Sequence, residues 1–259
     1  MARTSDAQTL VNLYLDADSE EPETSPAMYK VPGKSSFSTV GTGPILAMIE
    51  FGGAVLAVSN DEVYRIDSNG NETLVGSISF LSPSVACSKN RYQAIFVTDS
   101  GAWVSNGTSL TQVTDPDYPG SLVVDYLGGY FIFAIPDSQQ FYVSAIDNGS
   151  SYDALDFAQA ESNVDDIVTL IVDHEEVWLF GTNTTEIWYN SGTSDFPFAR
   201  RQGATMEVGC AARQSVALAD NTIFWLGRNR SGSGVVYRAD GYNPQIISNR
   251  GIEYEISQM

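Results

Sequence analysis

The 259-residue chain has a single histidine, two cysteines and only 13 basic residues against 32 acidic ones. Each scarcity excludes something. Any Ser-His-Asp or Cys-His catalytic set would have to use His174. That histidine lies in the stretch Asp173–Glu176 between two apolar runs, where a solvent-facing hairpin turn is expected. Cys87 and Cys210 stand far apart, in no metal-ligand spacing, and read as two small buried hydrophobes. The residue types that hold structural zinc are too few and too scattered. No metal, cofactor or catalytic constellation is expected.

The formal net charge of −19 argues against nucleic-acid recognition. Such binding needs Lys and Arg to displace the counterions of the phosphate backbone. An acidic wall would instead let a polyanion pass without sticking. No apolar run approaches the ~18–20 residues of a membrane span. The opening MARTSDAQTLVNLYLDADSEEPETS shows no apolar core of a signal peptide. The Asn-X-Ser/Thr triplets at Asn71, Asn106, Asn148, Asn183 and Asn229 therefore read as turn asparagines, not glycosylation sites.

What the chain does have is a 43% hydrophobic content and aromatics concentrated in a repeat. An apolar strand, a short turn and a second apolar strand recur at Ile49–Ala57, Cys87–Phe96, Val124–Phe133, Leu170–Phe180 and Val216–Leu226. The copies are spaced by about 40 residues, the period of β-propeller blades. The first copy shows the blade plan most clearly. Leu46–Phe51 and Ala54–Ser59 flank Gly52–Gly53, a dipeptide suited to positive φ in tight hairpins. Glu62–Asp67 and Glu72–Ser77 then flank a second turn at Asn69–Gly70. Later units span roughly 83–116, 120–161, 165–208 and 211–249.

The expected fold is thus all-β, a propeller of about five blade-like repeats in residues 45–250. Residues 1–44 form an N-terminal arm with one short strand, since Val11, Leu13 and Leu15 alternate with polar neighbours. Residues 251–259 begin an amphipathic helix through Ile252, Ile256 and Met259, which reads as a truncated C-terminal helix and suggests a piece of a longer protein. Units three and four carry extra residues at 145–161 and 189–206, and insertions on one edge of a propeller are where surface function concentrates.

Other motifs read as structure. Asp67–Glu72 lacks the last carboxylate of a calcium loop and is a hairpin turn. Asp147-Asn-Gly-Ser-Ser-Tyr152 is similar to the structural turn of sialidase-type propellers. A glycosidase would need two carboxylates at controlled separation, which the many acids neither place nor exclude. The segment Phe196-Pro-Phe198-Ala-Arg200-Arg201 is the one least explained by packing. Its arginines either pair with nearby acids or, with Phe196 and Phe198, anchor a protein interface.

Several stretches resemble one family. They are Asn12-Leu-Tyr-Leu, Tyr29–Gly33, Tyr152–Glu161, Glu186–Gly192, Phe196-Pro-Phe, Gly209-Cys and Asp220–Gly227. In order and spread they resemble the packaged-DNA stabilisation proteins of short-tailed bacteriophages, also called head-completion or tail-hub proteins. The resemblance implies a non-enzymatic part of the virion tail, assembled in the host cytoplasm. Copies would form a homo-oligomeric ring below the portal–adaptor ring, seal the channel after packaging and support the tail needle and spikes. It also implies a longer chain, hence an incomplete blade array here, no membrane and no sequence-specific nucleic-acid binding. The alternatives left by the residues themselves are a propeller glycoside hydrolase and a generic propeller interaction module.

Overall fold

The computed structural model describes residues 13–16, 27–31, 33–160, 165–228, 232 and 234–258. The first strand, β1 (Leu13–Asp16), pairs antiparallel with β2 (Ala27–Lys30). The arm therefore holds two strands where alternation alone gives one. A lone strand leaves its backbone groups unpaired, and the Ala27–Lys30 segment, with no clean alternation of its own, supplies the partners. Val11, Pro32 and Met259 lie outside the described residues.

Five four-stranded antiparallel sheets follow, each a simple meander. Blade one is β3 (Ile45–Phe51), β4 (Ala54–Ser59), β5 (Glu62–Ile66) and β6 (Glu72–Ser77). Blade two is β7 (Ala86–Lys89), β8 (Ala94–Thr98), β9 (Gly101–Ser105) and β10 (Leu110–Gln112). Blade three is β11 (Val124–Leu127), β12 (Tyr130–Ala134), β13 (Gln140–Ala145) and β14 (Asn148–Gln159). Blade four is β15 (Ile167–Asp173), β16 (Glu176–Gly181), β17 (Thr185–Asn190) and β18 (Phe198–Arg200). Blade five is β19 (Ala217–Ala219), β20 (Thr222–Arg228), β21 (Gly234–Asp240) and β22 (Asn243–Ile246). A helix, α1 (Arg250–Ser257), follows, its first turn capped by the Asn249 side chain accepting from the Ile252 amide at 3.0 Å.

The turns explain the register. In four blades the innermost hairpin closes on two residues with positive φ: Gly52–Gly53, Gly128–Gly129, His174–Glu175 and Asp220–Asn221. That turn matches the twist of the flanking strands. Blade two differs, with Asn90–Gln93 between its strands and the Asn90 side-chain oxygen accepting from the amides of Tyr92 (2.8 Å) and Gln93 (2.6 Å). The β5–β6 turn also runs longer than Asn69–Gly70 alone. The Asp67 carboxylate accepts from the amides of Asn69 (2.8 Å) and Asn71 (2.9 Å) and from the Asn71 side chain (2.8 Å), so it organises the turn.

Packing runs between consecutive blades. Phe51, Leu56, Val58 and Val63 meet Ala94, Phe96 and Trp103 in the first seam. Ile95, Val97 and Val104 meet Phe131, Phe133 and Tyr142 in the second. Ile132, Phe141 and Val143 meet Val177, Leu179 and Trp188 in the third, and Trp178, Phe180 and Ile187 meet Ile223, Trp225 and Tyr237 in the fourth. Inner strands such as β8 and β16 are buried throughout, because both of their faces lie in seams. This is why they read as continuous apolar runs rather than alternating ones.

Among the described residues, no core cluster joins blade five back to blade one. On blade one, the Ser59 hydroxyl and the Gly43 backbone exchange hydrogen bonds (3.2 and 3.1 Å), and Ser38 donates to the Gly70 carbonyl at 2.8 Å. On blade five, Ile256 of α1 lies against Gly234, leaving no room there for a side chain. The array still curls: Gln214, just before blade five, donates to Ser84, just before blade two, at 2.8 Å.

One carboxylate staples blade four. Asp165 accepts from the amides of Thr182 (2.9 Å), Asn183 (2.8 Å) and Thr184 (2.7 Å) and from the Thr184 hydroxyl (3.0 Å). Burial pushes its pKa up, but the donors from Thr182, Asn183 and Thr184 outweigh this and hold it below the usual carboxylate value. Glycine does the equivalent work at the fourth seam, where Gly209 is pressed against the Gly181 carbonyl and the backbone of Thr182 and Asn183. Both cysteines are free thiols, Cys210 buried and Cys87 half-buried.

Candidate interaction surface

The late insertions of blades three and four meet at the outer end of the third seam. In blade four, residues 190–197 form a tight loop. The Asn190 side chain accepts from the Gly192 amide (2.9 Å), the Ser191 amide donates to the Pro197 carbonyl (2.8 Å), and Thr193 donates to the Phe196 carbonyl (2.9 Å). This loop tips Phe196 inward, edge-on to Phe141 of blade three at 5.4 Å between ring centres. Phe198, the next strand residue but one, is only 4% exposed and stands edge-on to Tyr130 at 6.1 Å.

Of the four residues singled out from sequence, the structure therefore places Phe198 in the core and Phe196 half-buried against it. Neither ring is freely presented. The arginines are paired. Arg200 approaches the buried Glu186 at 4.0 Å, and Glu186 also accepts from the Trp188 indole at 3.0 Å. Arg201 forms an ion pair with Glu176 and lies over the rings of Tyr189 (5.4 Å) and Tyr242 (6.0 Å). The Tyr242 hydroxyl donates to both Glu176 oxygens, at 2.8 and 2.9 Å. Burial and the Glu176 carboxylate both push the Tyr242 phenol above its ordinary pKa. This cluster ties blade five to blade four. The Arg201 side chain stays 43% exposed, so its outer edge remains accessible.

The more exposed feature lies on β14, the free edge strand of blade three. Tyr142 pairs with Phe157 and Ser144 with Tyr152, so residues 153–156 stand opposite Val143 alone. Extra residues on one strand form a bulge that re-aims side chains. Here they push Leu155 out to 79% exposure, with Phe157 at 44% beside it. The Asp153 carboxylate accepts from the Leu155 amide at 2.9 Å and shapes the bulge from within. Burial raises the Asp156 carboxyl, and the charges of Asp153 and of Asp195 in blade four push it the same way. The sequence pointed to the insertion as a whole. The finer signal was apolar Leu155 and Phe157 set among acids on an edge strand.

His174 lies in its exposed hairpin turn, 2.9 Å from Asp173, whose hydrogen bond and charge raise its pKa. Among the described residues, no group of three or more His, Cys, Asp or Glu side chains is placed to hold a metal ion. No helix is long and apolar enough to cross a membrane, among those same residues.

Two solved chains illustrate the likeness to known structures. PorZ, described as an essential bacterial surface component of the type-IX secretion system of Porphyromonas gingivalis, is 13% identical over 81% of this chain, with a TM-score of 0.48. The chain spans 28% of the length of PorZ. Apo AztD from Citrobacter koseri is 11% identical over 78% of this chain and 71% of its own, with a TM-score of 0.46. No curated protein sequence matches. A family match described as "Bacteriophage P22 Gp10, beta-propeller" covers residues 6–259, which takes in every blade, the arm strands and α1. On that coverage the chain belongs to the phage stabilisation family of β-propellers named for bacteriophage P22 Gp10.

Proposed function

We propose that this chain serves as a tail hub and head-completion factor. In this reading, copies form a ring on the portal–adaptor complex, seal the channel over packaged DNA and support the tail needle and spikes. The observation that carries it is the phage stabilisation family match over residues 6–259 of an all-β array. The role is structural rather than enzymatic and belongs to the virion tail, with assembly in the host cytoplasm. The net charge of −19 supports a channel wall that holds DNA without adhering to it.

The test is reconstitution. Phage heads that carry portal and adaptor but lack this protein should lose DNA on dilution and retain it after the purified chain is added. Native mass spectrometry should show several copies bound per portal–adaptor complex. Equal DNA retention with and without the chain, or no binding to portal–adaptor complexes, would overturn the hub reading. So would turnover of chromogenic glycosides by the purified protein.

A further inference from the structure

The edge of blade three carries a knob and a cleft side by side. Leu155 projects from its bulge, and next to it lies a cleft of about 290 Å³ whose lining includes Pro116, Pro119, Ile135 and Phe157, with Asp117 and Asp153 at its margin. Leu155 and the apolar part of the cleft lining form a contiguous exposed patch, which marks an interaction site more than a lone surface leucine does. Among the described residues, the charged side chains that line the cleft or act on Asp156 are all acidic. Asp117, Asp153, Asp156 and Asp195 frame the patch, and none of the ion pairs among the described residues reaches any of them. Like charges gathered without counter-charge favour a partner that brings it.

A second copy of this chain is the wrong occupant. With 13 basic against 32 acidic residues, another copy would bring mostly the same sign of charge to four carboxylates. The core of the patch calls for apolar contact and its frame calls for lysine or arginine.

We propose that the Leu155 bulge and the adjoining cleft dock an extended segment of a different structural protein of the phage particle. That segment presents an apolar side chain to the Pro116–Phe157 cleft and Lys or Arg to Asp117, Asp153, Asp156 and Asp195. The proposal deepens the hub reading and rests on it only in drawing the partner from the other proteins of the particle.

The test places a photo-crosslinking benzoylphenylalanine at Leu155 during phage assembly in infected cells, with Leu81, 90% exposed on the linker after blade one, as the control position. The expected result is one crosslinked product at position 155, to a different particle protein, through a peptide bearing Lys or Arg. A product with a second copy of this chain, a linked peptide without basic residues, or no product above the Leu81 control overturns it. Binding then gives an independent measure. Against the partner so identified, Leu155→Asp and the double change Asp117→Lys with Asp195→Lys should each weaken affinity at least tenfold while leaving the thermal midpoint unchanged, because all three positions are exposed. The wild-type affinity should fall with added NaCl as exposed charges are screened. If wild type joins portal–adaptor complexes and Leu155→Asp joins them and the identified partner equally well, the docking surface fails and the hub reading stands. If wild type does not join portal–adaptor complexes, the hub reading itself fails.

Discussion

Replacing Asp165 by alanine should destabilise the protein by roughly 2–4 kcal/mol, and the structure shows where that comes from. Of the groups that Asp165 accepts from, Thr184 is 7% exposed and gives both its amide (2.7 Å) and its hydroxyl (3.0 Å). Bonds to a charged acceptor contribute about 1.5–3 kcal/mol, and a buried donor left alone costs about 1–3 kcal/mol. The amides of Thr182 and Asn183 sit on exposed residues and would recover water, so they add little. Because the folded carboxyl is held below its ordinary pKa, its stabilising effect is present above the unfolded carboxylate pKa of about 3.9 and is lost as pH falls through the folded value. The gap between wild type and Asp165→Ala, measured by urea denaturation, should therefore be largest near neutral pH and narrow on acidification. Amide exchange at Thr184 should accelerate in the variant. A loss below about 1 kcal/mol at neutral pH, or a gap that widens in acid, would refute the reasoning.

Three further outcomes follow from the packing. Gly209→Ala would drive a methyl into the backbone of Gly181 and Thr182 and should cost about 1–3 kcal/mol, read as a lower urea midpoint with unchanged slope. Phe198→Ala should cost about 3–5 kcal/mol by opening the third seam, whereas an exposed contact residue would cost almost nothing; thermal unfolding decides between them. Burial, followed by the nearby Asp125 charge, pushes the Cys87 thiol up to about 11. At pH 8 only about one molecule in a thousand would carry that thiolate, so native Cys87 should alkylate far more slowly than the same cysteine in urea. Labelling at the unfolded rate would show the site is wrong.

The repeat was legible because its signals are local. Gly52–Gly53 and Asp220–Asn221 announce hairpins through their own backbone preferences, and the inner strands announce double burial through unbroken apolar runs. What the sequence concealed depends on remote partners. The β20 segment Ile223-Phe-Trp-Leu226 is an unbroken apolar run, yet only Ile223 and Trp225 enter a seam, while Phe224 and Leu226 remain half-buried. The pairing of Arg201 with Glu176 and Tyr242 joins residues from different strands and blades, which no spacing rule supplies. Phe198 looked like an interface aromatic because its loop is long and carries arginines. Its burial was decided by Tyr130 and Phe141, both in another blade. The Leu155 bulge was hidden for a similar reason, since the same letters in register with β13 would have made an ordinary edge strand.

Among the described residues no seam joins blades five and one, which bears on how the chain folds. Each of the four seams joins blades that are neighbours in sequence, so its loop-closure entropy involves only a few tens of residues. None of these four clusters needs distant segments brought together, as a seam closing a ring would. Assembly can therefore propagate blade by blade like a one-dimensional chain of coupled units. Blades one and five, which each share one seam among the described residues, would then be the first of the five to open under stress.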